Sequence, residues 1–599
     1  MRATLGPGRA PVSGRIGAVT SGPHAAPRVD PWVRLLRHEY VLACAGGVAL
    51  AVVMTWIAPP VALWLLTAGE RWDGVANPVT TIAGDLGDPT LQAWQVAWTG
   101  HALLADPGNL WHTNAFFPER YALAFSDSLL GYAPAGLVGS GPAAAVLRYN
   151  VLFVLAFALA FVGLYALVRQ LGAARVAAVV AAAAFAYAPW RYGHTGHLNV
   201  LSTGGIPLAL AMLARGHGWS LRRGYRPELV RPGWAVAGWL VVAWQVSLGF
   251  GLGLPFGYVL GVGVLVLLVR RAVAGGAPVP AALWRADALG AAAALAVVAA
   301  LVYPYTQVRA AFPDSVRSWE YVGVFSTPLR GLLVAPAESL VWRSWHGPAR
   351  DALGSAVNEK ALLCGYVLIG LAAVGLFRSV WPARARALLG VGVLVSALLA
   401  LGTEGPLYRV LYDLAPGFDG IRTPGRLVLW TSLLLAVLAA GAVTALQERL
   451  AGERRPVAVL LLAPLTAAVL VEGLPLLGHP VVPPAPPALA SAPAPLMVLP
   501  TDVLVDNRIQ LWGTDTFPAM VNGGSGQFPP RQAELREAMR TFPDAAAVEA
   551  LRRIGVRSVV VLREEVAGTD YAGALTGPTA GLGITRREVG RDVVYDLAG

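Results

Sequence analysis

Long apolar stretches run through most of the chain, and charged residues lie almost wholly between them. A helix of about 20 apolar residues is long enough to cross a hydrocarbon core about 30 Å thick. The pattern predicts a polytopic α-helical membrane protein with about eleven transmembrane helices. They are expected near residues 41–58, 143–168, 175–190, 198–214, 234–252, 254–269, 286–303, 360–378, 387–402, 427–446 and 456–477.

Arginines cluster in every second connection between these stretches. Because positively charged connections favour the cytoplasm, the N-terminus and the five arginine-rich connections are predicted to lie inside. An odd number of crossings then places the C-terminal residues outside the cytoplasmic membrane. The clusters are Arg169 and Arg175; Arg215, Arg222, Arg223, Arg226 and Arg231; Arg270, Arg271 and Arg285; Arg378, Arg384 and Arg386; and Arg449, Arg454 and Arg455.

The pattern divides the chain into four parts. Residues 1–38 are rich in Gly, Pro, Ala and Arg and are predicted to be a disordered cytoplasmic tail. A transmembrane domain at 39–478, with a first outside loop at 59–142, and a proline-rich linker at 479–495 follow. Residues 496–599 have ordinary charge density and are predicted to form a small extracytoplasmic α/β domain. Its expected strands are 496–499 and 556–562, and its expected helices are 530–540 and 544–553.

Composition agrees with a membrane protein and narrows the function. Of the 599 residues, 56% are hydrophobic and 14% are charged, against about 25% charged in soluble proteins. The net charge of +11 comes almost wholly from arginine, and because its placement follows the predicted topology, no nucleic-acid partner is expected. Cys44 and Cys364 both fall in apolar stretches, so neither a disulfide framework nor a cysteine zinc site is predicted.

The first outside loop carries two candidate acids, Asp85 and Asp88, in the sequence GDLGDP. Asp88 precedes Pro89, which is typical of a helix N-cap, so a structural role competes with a chemical one. Asp85 has no helix of its own to cap and is predicted to be catalytic, the alternative being an ordinary turn aspartate. The two carboxylates are also the candidate ligands of a divalent cation.

Two further segments of this loop are predicted to lie at the membrane surface. Leu91, Trp94 and Trp98 share one face of the helix expected after Asp88, and tryptophans on such a face favour an interfacial helix. Residues 128–141 are apolar but too short to span, which predicts a re-entrant or interfacial segment.

Two other outside connections contain candidate binding residues. In PWRYGHTGHLN, His194 and His197 have HxxH spacing; the alternatives are a zinc site, interfacial anchoring, or binding of a lipid phosphate or sugar together with Arg191. Arg422 and Arg426, in IRTPGR, lie on the side where arginine is disfavoured, so they are predicted either to reach headgroups or to clamp a phosphate.

The order of these parts resembles the GT-C superfamily of integral-membrane glycosyltransferases, over about residues 40–599. The stretches GDLGDPTLQAWQVAW, NAFFPERYALAFSDSLLG, IRTPGR and VNGGSGQFPP are similar to a bacterial branch of it. The resemblance implies inverting transfer of a hexose or pentose from a polyprenyl-phosphate donor at the outer face of the cytoplasmic membrane. The acceptor would be a glycan, a lipid or a protein of the cell envelope.

The resemblance also implies roles for particular residues. The superfamily's acidic residue of the first loop maps onto Asp85, as general base, with Asp88 the next candidate and Asp127 a candidate second acid. A divalent cation, Mg²⁺ or Mn²⁺, is a candidate cofactor. The candidates for binding the donor phosphate or substrate are Arg191, His194, His197, Arg422 and Arg426.

Two other classes of protein fit the same features. A transporter or flippase of a lipid-linked saccharide would also need aromatic and cationic groups at the interface, although transporters commonly show two related halves, which this sequence lacks. A non-catalytic cell-envelope assembly protein would keep the architecture without needing Asp85.

Overall fold

The computed structural model describes residues 38–67, 74–275, 279–313, 316–451 and 455–597. The predicted N-terminal tail lies outside these ranges except for His38. Within them, seven helices are long and apolar enough to cross a membrane: Glu39–Leu66, Gly141–Leu171, Leu198–Gly216, Phe250–Val273, Ala281–Ala311, Ala383–Ala400 and Pro424–Leu450. Four shorter apolar helices accompany them: Arg175–Ala186, Pro232–Leu248, Tyr366–Phe377 and Leu462–Glu472.

Each predicted span therefore has a helix, and the chain is built as a multi-pass membrane protein. That all eleven helices cross stays a prediction. The helices differ in how far neighbours cover them: 89% of the apolar window in Pro424–Leu450 is buried, against 11% in Ala383–Ala400. Pro424–Leu450 thus lies at the centre of the bundle, whereas Ala383–Ala400 leaves most of its apolar surface uncovered by other helices.

Shorter helices and strands form the connections between the membrane helices and the C-terminal part. The remaining helices are Asp88–Ala105, Ala133–Gly136, Trp319–Phe325, Gly347–Asp351, Val357–Lys360, Tyr408–Leu414, Pro487–Ser491, Val503–Trp512, Pro530–Ala538, Ala545–Arg553 and Arg563–Val566. The strands are Trp219–Ser220, Gly224–Tyr225, Leu496–Leu499, Ser558–Val561, Thr585–Val589 and Asp592–Asp596.

The last four strands form one sheet. Leu496–Leu499 pairs in parallel with Ser558–Val561, which pairs antiparallel with Asp592–Asp596, and Thr585–Val589 completes the edge. All side chains of the parallel pair Leu496–Leu499 and Ser558–Val561 are buried, as their apolar sequences predict. The helices Pro530–Ala538 and Ala545–Arg553 confirm the two that were predicted here.

The helix Asp88–Ala105, called here the first-loop helix, is almost completely buried. Trp94 and Trp98 are only 2% and 7% exposed, and they share an apolar cluster with Ile509 and Trp512 of the helix Val503–Trp512. Their indole N–H groups donate to Asn114 and to the backbone of Leu110. The prediction that these tryptophans anchor the helix in the membrane interface is therefore wrong, because the C-terminal part of the chain covers them.

The segment 128–141 forms two short helical turns, Leu130–Tyr132 and Ala133–Gly136, and it does not span. It lies against the first-loop helix at Gly100. A Cβ atom placed on Gly100 would lie 2.1 Å from the carbonyl oxygen of Gly136, and one on Gly136 would lie 2.1 Å from the carbonyl oxygen of Val96. Only glycine at both positions permits the two backbones to approach this closely.

Candidate functional site

Asp85 makes the hydrogen bond that precedes the first-loop helix, whereas the sequence predicted a cap at Asp88; the catalytic role of Asp85 stays a prediction. Asp88 is the first residue of the first-loop helix; the N-cap position is Gly87, and no side chain caps this end. It is Asp85 whose Oδ1 accepts the N–H of Gly87, at 2.7 Å. Asp85 therefore organises the turn before the helix, while the carboxylate of Asp88 is left available for other partners.

Asp88 begins a line of charged and polar side chains that leads from the surface into the protein. Its Oδ2 lies 3.2 Å from Nε2 of His197, and the Asp88 side chain is 42% exposed. His194 is fully buried, with Nδ1 3.9 Å from Oε2 of Glu359. Arg426 binds both carboxylate oxygens of Glu359, at 2.5 and 3.2 Å. These five residues are called the Asp88 cluster below.

Three ring nitrogens in this cluster lack hydrogen-bond partners within the described parts of the chain. They are Nδ1 and Nε2 of His194 and Nδ1 of His197, and all three are shielded from solvent. One ligand atom each from His194, His197 and Glu359 lies within 4.8 Å of the others. Because buried polar atoms without partners are rare, these nitrogens have the spacing and the lone pairs of a metal-binding set.

The charges of the cluster stabilise one another. Burial lowers the pKa of His194 to about 3, so this imidazole is neutral and able to act as a ligand at neutral pH. Burial alone would raise the pKa of Glu359, but the charge and the hydrogen bonds of Arg426 hold it well below its usual range. Burial would likewise raise the pKa of Asp88, yet His197, Arg422 and Arg426 together lower it.

The predicted second acid, Asp127, belongs to a neighbouring network. Its Oδ2 accepts from Asn199 at 2.6 Å, and its Oδ1 accepts from the backbone N–H of Phe250, at the start of a membrane helix, at 2.7 Å. Asn199 in turn accepts from Gln92 of the first-loop helix. Asp127 thus joins three segments near the Asp88 cluster, and these bonds occupy both of its oxygens.

The predicted cationic residues separate into three positions. Arg426 lies in the Asp88 cluster, paired with Glu359. Arg422 is half-buried above it, with Nη1 3.5 Å from the hydroxyl of Tyr321 and its guanidinium 5.3 Å from the ring centre of Phe325. Throughout the described ranges no carboxylate lies within salt-bridge distance of Arg422. Its positive charge is therefore available to an anionic ligand.

Arg191, the third of the predicted cationic residues, lies outside the Asp88 cluster. Its side chain is wholly buried, with Nη1 donating to Thr203 and Nη2 to the carbonyl oxygen of Leu201, both at 2.8 Å. The guanidinium also lies 5.0 Å from the ring centre of Phe157. The predicted contact between Arg191 and a donor phosphate does not fit this position, since the residue holds the backbone beneath the two histidines instead.

The sequence VNGGSGQFPP places its glycines beside the first loop. The carbonyl oxygen of Gly526 accepts a hydrogen bond from Nη2 of Arg317, at 2.7 Å, and Gly526 lies against Phe125 and Ser126. Gly524 passes directly over the side chain of Asn507, where a Cβ atom would lie 1.8 Å from its amide oxygen. The C-terminal part therefore borders the segment that carries Asp127.

Glu359 was missed by the sequence analysis. It lies in the connection 304–359, roughly 160 residues beyond the histidines it meets. No spacing rule relates residues so far apart, and its only local peculiarity is the neighbouring Lys360.

Comparison with known proteins finds similarity to solved structures. No protein-family model matches the chain, and no curated protein matches it. Among solved structures, the chain is similar to the archaeal oligosaccharyltransferase AglB from Archaeoglobus fulgidus, in complex with an inhibitory peptide and a dolichol-phosphate. The two are 14% identical, with a TM-score of 0.41, over 88% of this chain and 70% of that one.

At this TM-score and identity, the likeness assigns no activity, substrate or residue role to the present chain.

Proposed function

We propose that this chain is a membrane glycosyltransferase that moves a hexosyl or pentosyl group from a polyprenyl-phosphate carrier to an acceptor. The observation that carries the proposal is the Asp88 cluster: a half-exposed carboxylate backed by the partly exposed His197 and the buried His194, with Arg426 beside them and Arg422 at the edge. The donor class, inversion and the outer-face location of transfer come from the sequence resemblance. The positive-inside pattern supports a cytoplasmic N-terminus and an extracytoplasmic C-terminal domain.

In this reaction an acceptor hydroxyl attacks the anomeric carbon of the donor sugar. The bond from that carbon to the phosphate oxygen breaks, and the polyprenyl phosphate leaves with the bonding electron pair. The hydroxyl proton passes to a carboxylate acting as general base. Asp88 suits this step better than Asp85, because its carboxylate contacts His197 and so belongs to the cluster, whereas Oδ1 of Asp85 is bonded to the N–H of Gly87. Asp85 supports it by fixing the turn at Gly87.

The departing phosphate gains negative charge as the sugar leaves. A cation placed before the reaction stabilises that charge without reorganising during it. Arg422 fits this task, since it lies close enough to Asp88 to lower the pKa of that carboxyl and lacks a carboxylate partner of its own among the described residues. Arg426 contributes more distantly, because Glu359 already neutralises it.

His194, His197 and Glu359 fit a divalent cation, as their unpartnered buried nitrogens indicate. Two imidazoles and one carboxylate favour Zn²⁺ or Mn²⁺ over Mg²⁺, which prefers an all-oxygen set. When bound, such an ion supplies positive charge next to the sugar phosphate. The chain's own part is to keep His194 neutral by burial and to hold Glu359 ionised through Arg426.

We expect purified protein to retain about one divalent ion per chain after dialysis, measured by plasma mass spectrometry. The double variant His194→Ala, His197→Ala should lose it, because only one ligand remains. His101→Ala is the control, since that ring stacks on Phe517 in another region. Equal metal content in all three proteins would show that the histidines bind no ion.

The class of protein is tested by transfer itself. Purified chain in proteoliposomes is supplied with radiolabelled polyprenyl-phosphate hexoses and pentoses and with an envelope extract as acceptor. We expect the radiolabelled sugar to pass from the polyprenyl-phosphate donor, which is extracted into organic solvent, to the acceptor. Movement of intact labelled lipid between leaflets without transfer would identify a flippase. Neither transfer nor movement would favour an assembly protein.

A further inference from the structure

At the opposite end of the membrane helices the chain forms a cavity whose wall is dominated by arginine. It has a volume of about 410 Å³, within the range of roughly 300–1,000 Å³ typical of ligand pockets. The arginines, which we call the cavity arginines, are Arg169, Arg215, Arg222, Arg223, Arg226 and Arg231.

The cavity is far from the Asp88 cluster. Tyr149 lies beside the histidine turn, with its hydroxyl 3.4 Å from the carbonyl oxygen of Thr195. Arg169 is 20 residues further along the same helix, Gly141–Leu171, so about 30 Å separates the two levels. That distance is the thickness of a hydrocarbon core. The cavity therefore lies at the other membrane surface, the one predicted to be cytoplasmic.

Three of the cavity arginines are neutralised by acids. Arg169 pairs with Glu39, Arg222 with Glu448 and Arg226 with Glu228. These contacts hold the wall in shape and cancel three positive charges.

The other three have no carboxylate partner in the described part of the chain. Arg215 lies with its guanidinium 4.8 Å from the ring centre of Trp234, and Arg231 donates only to backbone carbonyl oxygens. The side chain of Arg223 has no hydrogen bond or ion pair among the described residues. The cavity thus keeps a charge of about +3, which is costly to gather without an anion.

Aromatic residues beside the cavity indicate where its ligand would come from. Trp219 and Trp234 are 38% and 39% exposed, and exposed tryptophan at this level is typical of the boundary between headgroups and acyl chains. Trp219 lines the cavity, whereas Trp234 begins a membrane helix next to it. Basic pockets between membrane helices on the cytoplasmic side bind the phosphates of anionic lipids.

We propose that this cavity is a binding site for the phosphate headgroup of an anionic phospholipid of the cytoplasmic leaflet. The phosphate accepts hydrogen bonds from the unpaired guanidinium groups of Arg215, Arg223 and Arg231, and the acyl chains leave past Trp219. Such a lipid would tie the arginine-rich connection 217–231 to the membrane surface. The inference does not depend on the glycosyltransferase proposal.

The test is retention of lipid by the full chain. Protein is purified from nanodiscs that contain phosphatidylcholine with phosphatidylglycerol or cardiolipin, and bound lipid is counted by native mass spectrometry. We expect one anionic lipid to remain. In the triple variant Arg215→Gln, Arg223→Gln, Arg231→Gln, affinity should fall about 100-fold, at about fivefold for each lost arginine contact.

A matched triple variant separates the cavity from general surface charge. Arg270→Gln, Arg285→Gln, Arg384→Gln removes the same three charges from the same predicted face but outside the cavity. It should retain the lipid as the unchanged chain does. Equal loss in both triples, or displacement of the lipid by millimolar inorganic phosphate, would overturn the proposal in favour of diffuse attraction or a site for soluble anions.

Discussion

Asp88→Asn should reduce the rate of glycosyl transfer by about 100- to 10,000-fold, the range expected when a general base is lost. Asparagine keeps the shape of the side chain and can still accept a hydrogen bond from His197, so the fold and the neighbouring cluster should persist. The measurement is the single-turnover rate with saturating donor. Because the variant removes only proton acceptance, donor binding should change little.

Two companion variants make this result specific. Asp106→Asn, at the far end of the same helix, should transfer at the unchanged rate, because its carboxylate is exposed and its one side-chain partner among the described residues is Asn109. Asp85→Asn should lose less than about tenfold, since it weakens a turn rather than removing the base. If Asp85→Asn instead gave the larger loss, the base would be Asp85, as the family resemblance implies.

The pH profile gives an independent check on the same assignment. The pKa of Asp88 is held below its ordinary value of 3.8, so the carboxylate stays ionised throughout the neutral and mildly acidic range. Activity should therefore not fall through protonation of the base until the pH drops below about 4. An acid limb near pH 6 in kcat/KM would be inconsistent with Asp88 as an unprotonated base.

Gly100→Val should prevent the chain from folding normally. The added side chain would enter space already occupied by the backbone of Gly136, and backbone cannot turn aside as a flexible side chain can. We expect a loss of more than about 4 kcal/mol of stability, measured as the yield of monodisperse protein and its Tm in detergent.

Gly370→Val is the control for this experiment. Gly370 also lies within a helix, Tyr366–Phe377, but nothing stands within 4 Å of a Cβ atom placed there. It should change stability by less than about 0.5 kcal/mol, in the stabilising direction, because valine is a better helix former than glycine. Similar losses in the two variants would mean that the close approach of Gly100 and Gly136 is not important.

The membrane helices were predictable because each is encoded locally. Backbone groups in lipid must be satisfied within the segment, so a long apolar run leaves few alternatives to a helix. The two helices at 530–540 and 544–553 were equally local. The strand Asp592–Asp596 and the helix Val503–Trp512 were not anticipated, since their sequences mix apolar and charged residues without a clear period.

The roles of the first-loop acids were not predictable from local rules. Asp before Pro normally marks a cap, yet the helix begins one residue earlier than that rule implies, and Gly87 takes the N-cap position. The shift passes the turn hydrogen bond to Asp85 and frees Asp88. A difference of one residue in the start of the helix, which sequence patterns rarely resolve, therefore decides which of the two acids makes the turn hydrogen bond.

Contacts between distant segments explain the other differences. Glu359 meets His194 only through the fold, so no motif could reveal it. The tryptophans of the first-loop helix suggested a lipid contact, but their apolar face is satisfied by a segment roughly 400 residues later. Glu472 also makes a contact with a segment distant in sequence: its carboxylate accepts hydrogen bonds from the backbone N–H groups of Tyr366 and Val367.

The cover over Trp94 and Trp98 has a consequence for biogenesis. Ribosomes add about 5–20 residues per second, so these indoles wait about 20–80 seconds after their own synthesis before Trp512 exists to shield them. During that interval the newly made loop presents a bare apolar surface. The nascent chain therefore needs the lipid bilayer or a chaperone to cover this surface until then. Ribosomes that stop early would leave products prone to aggregation.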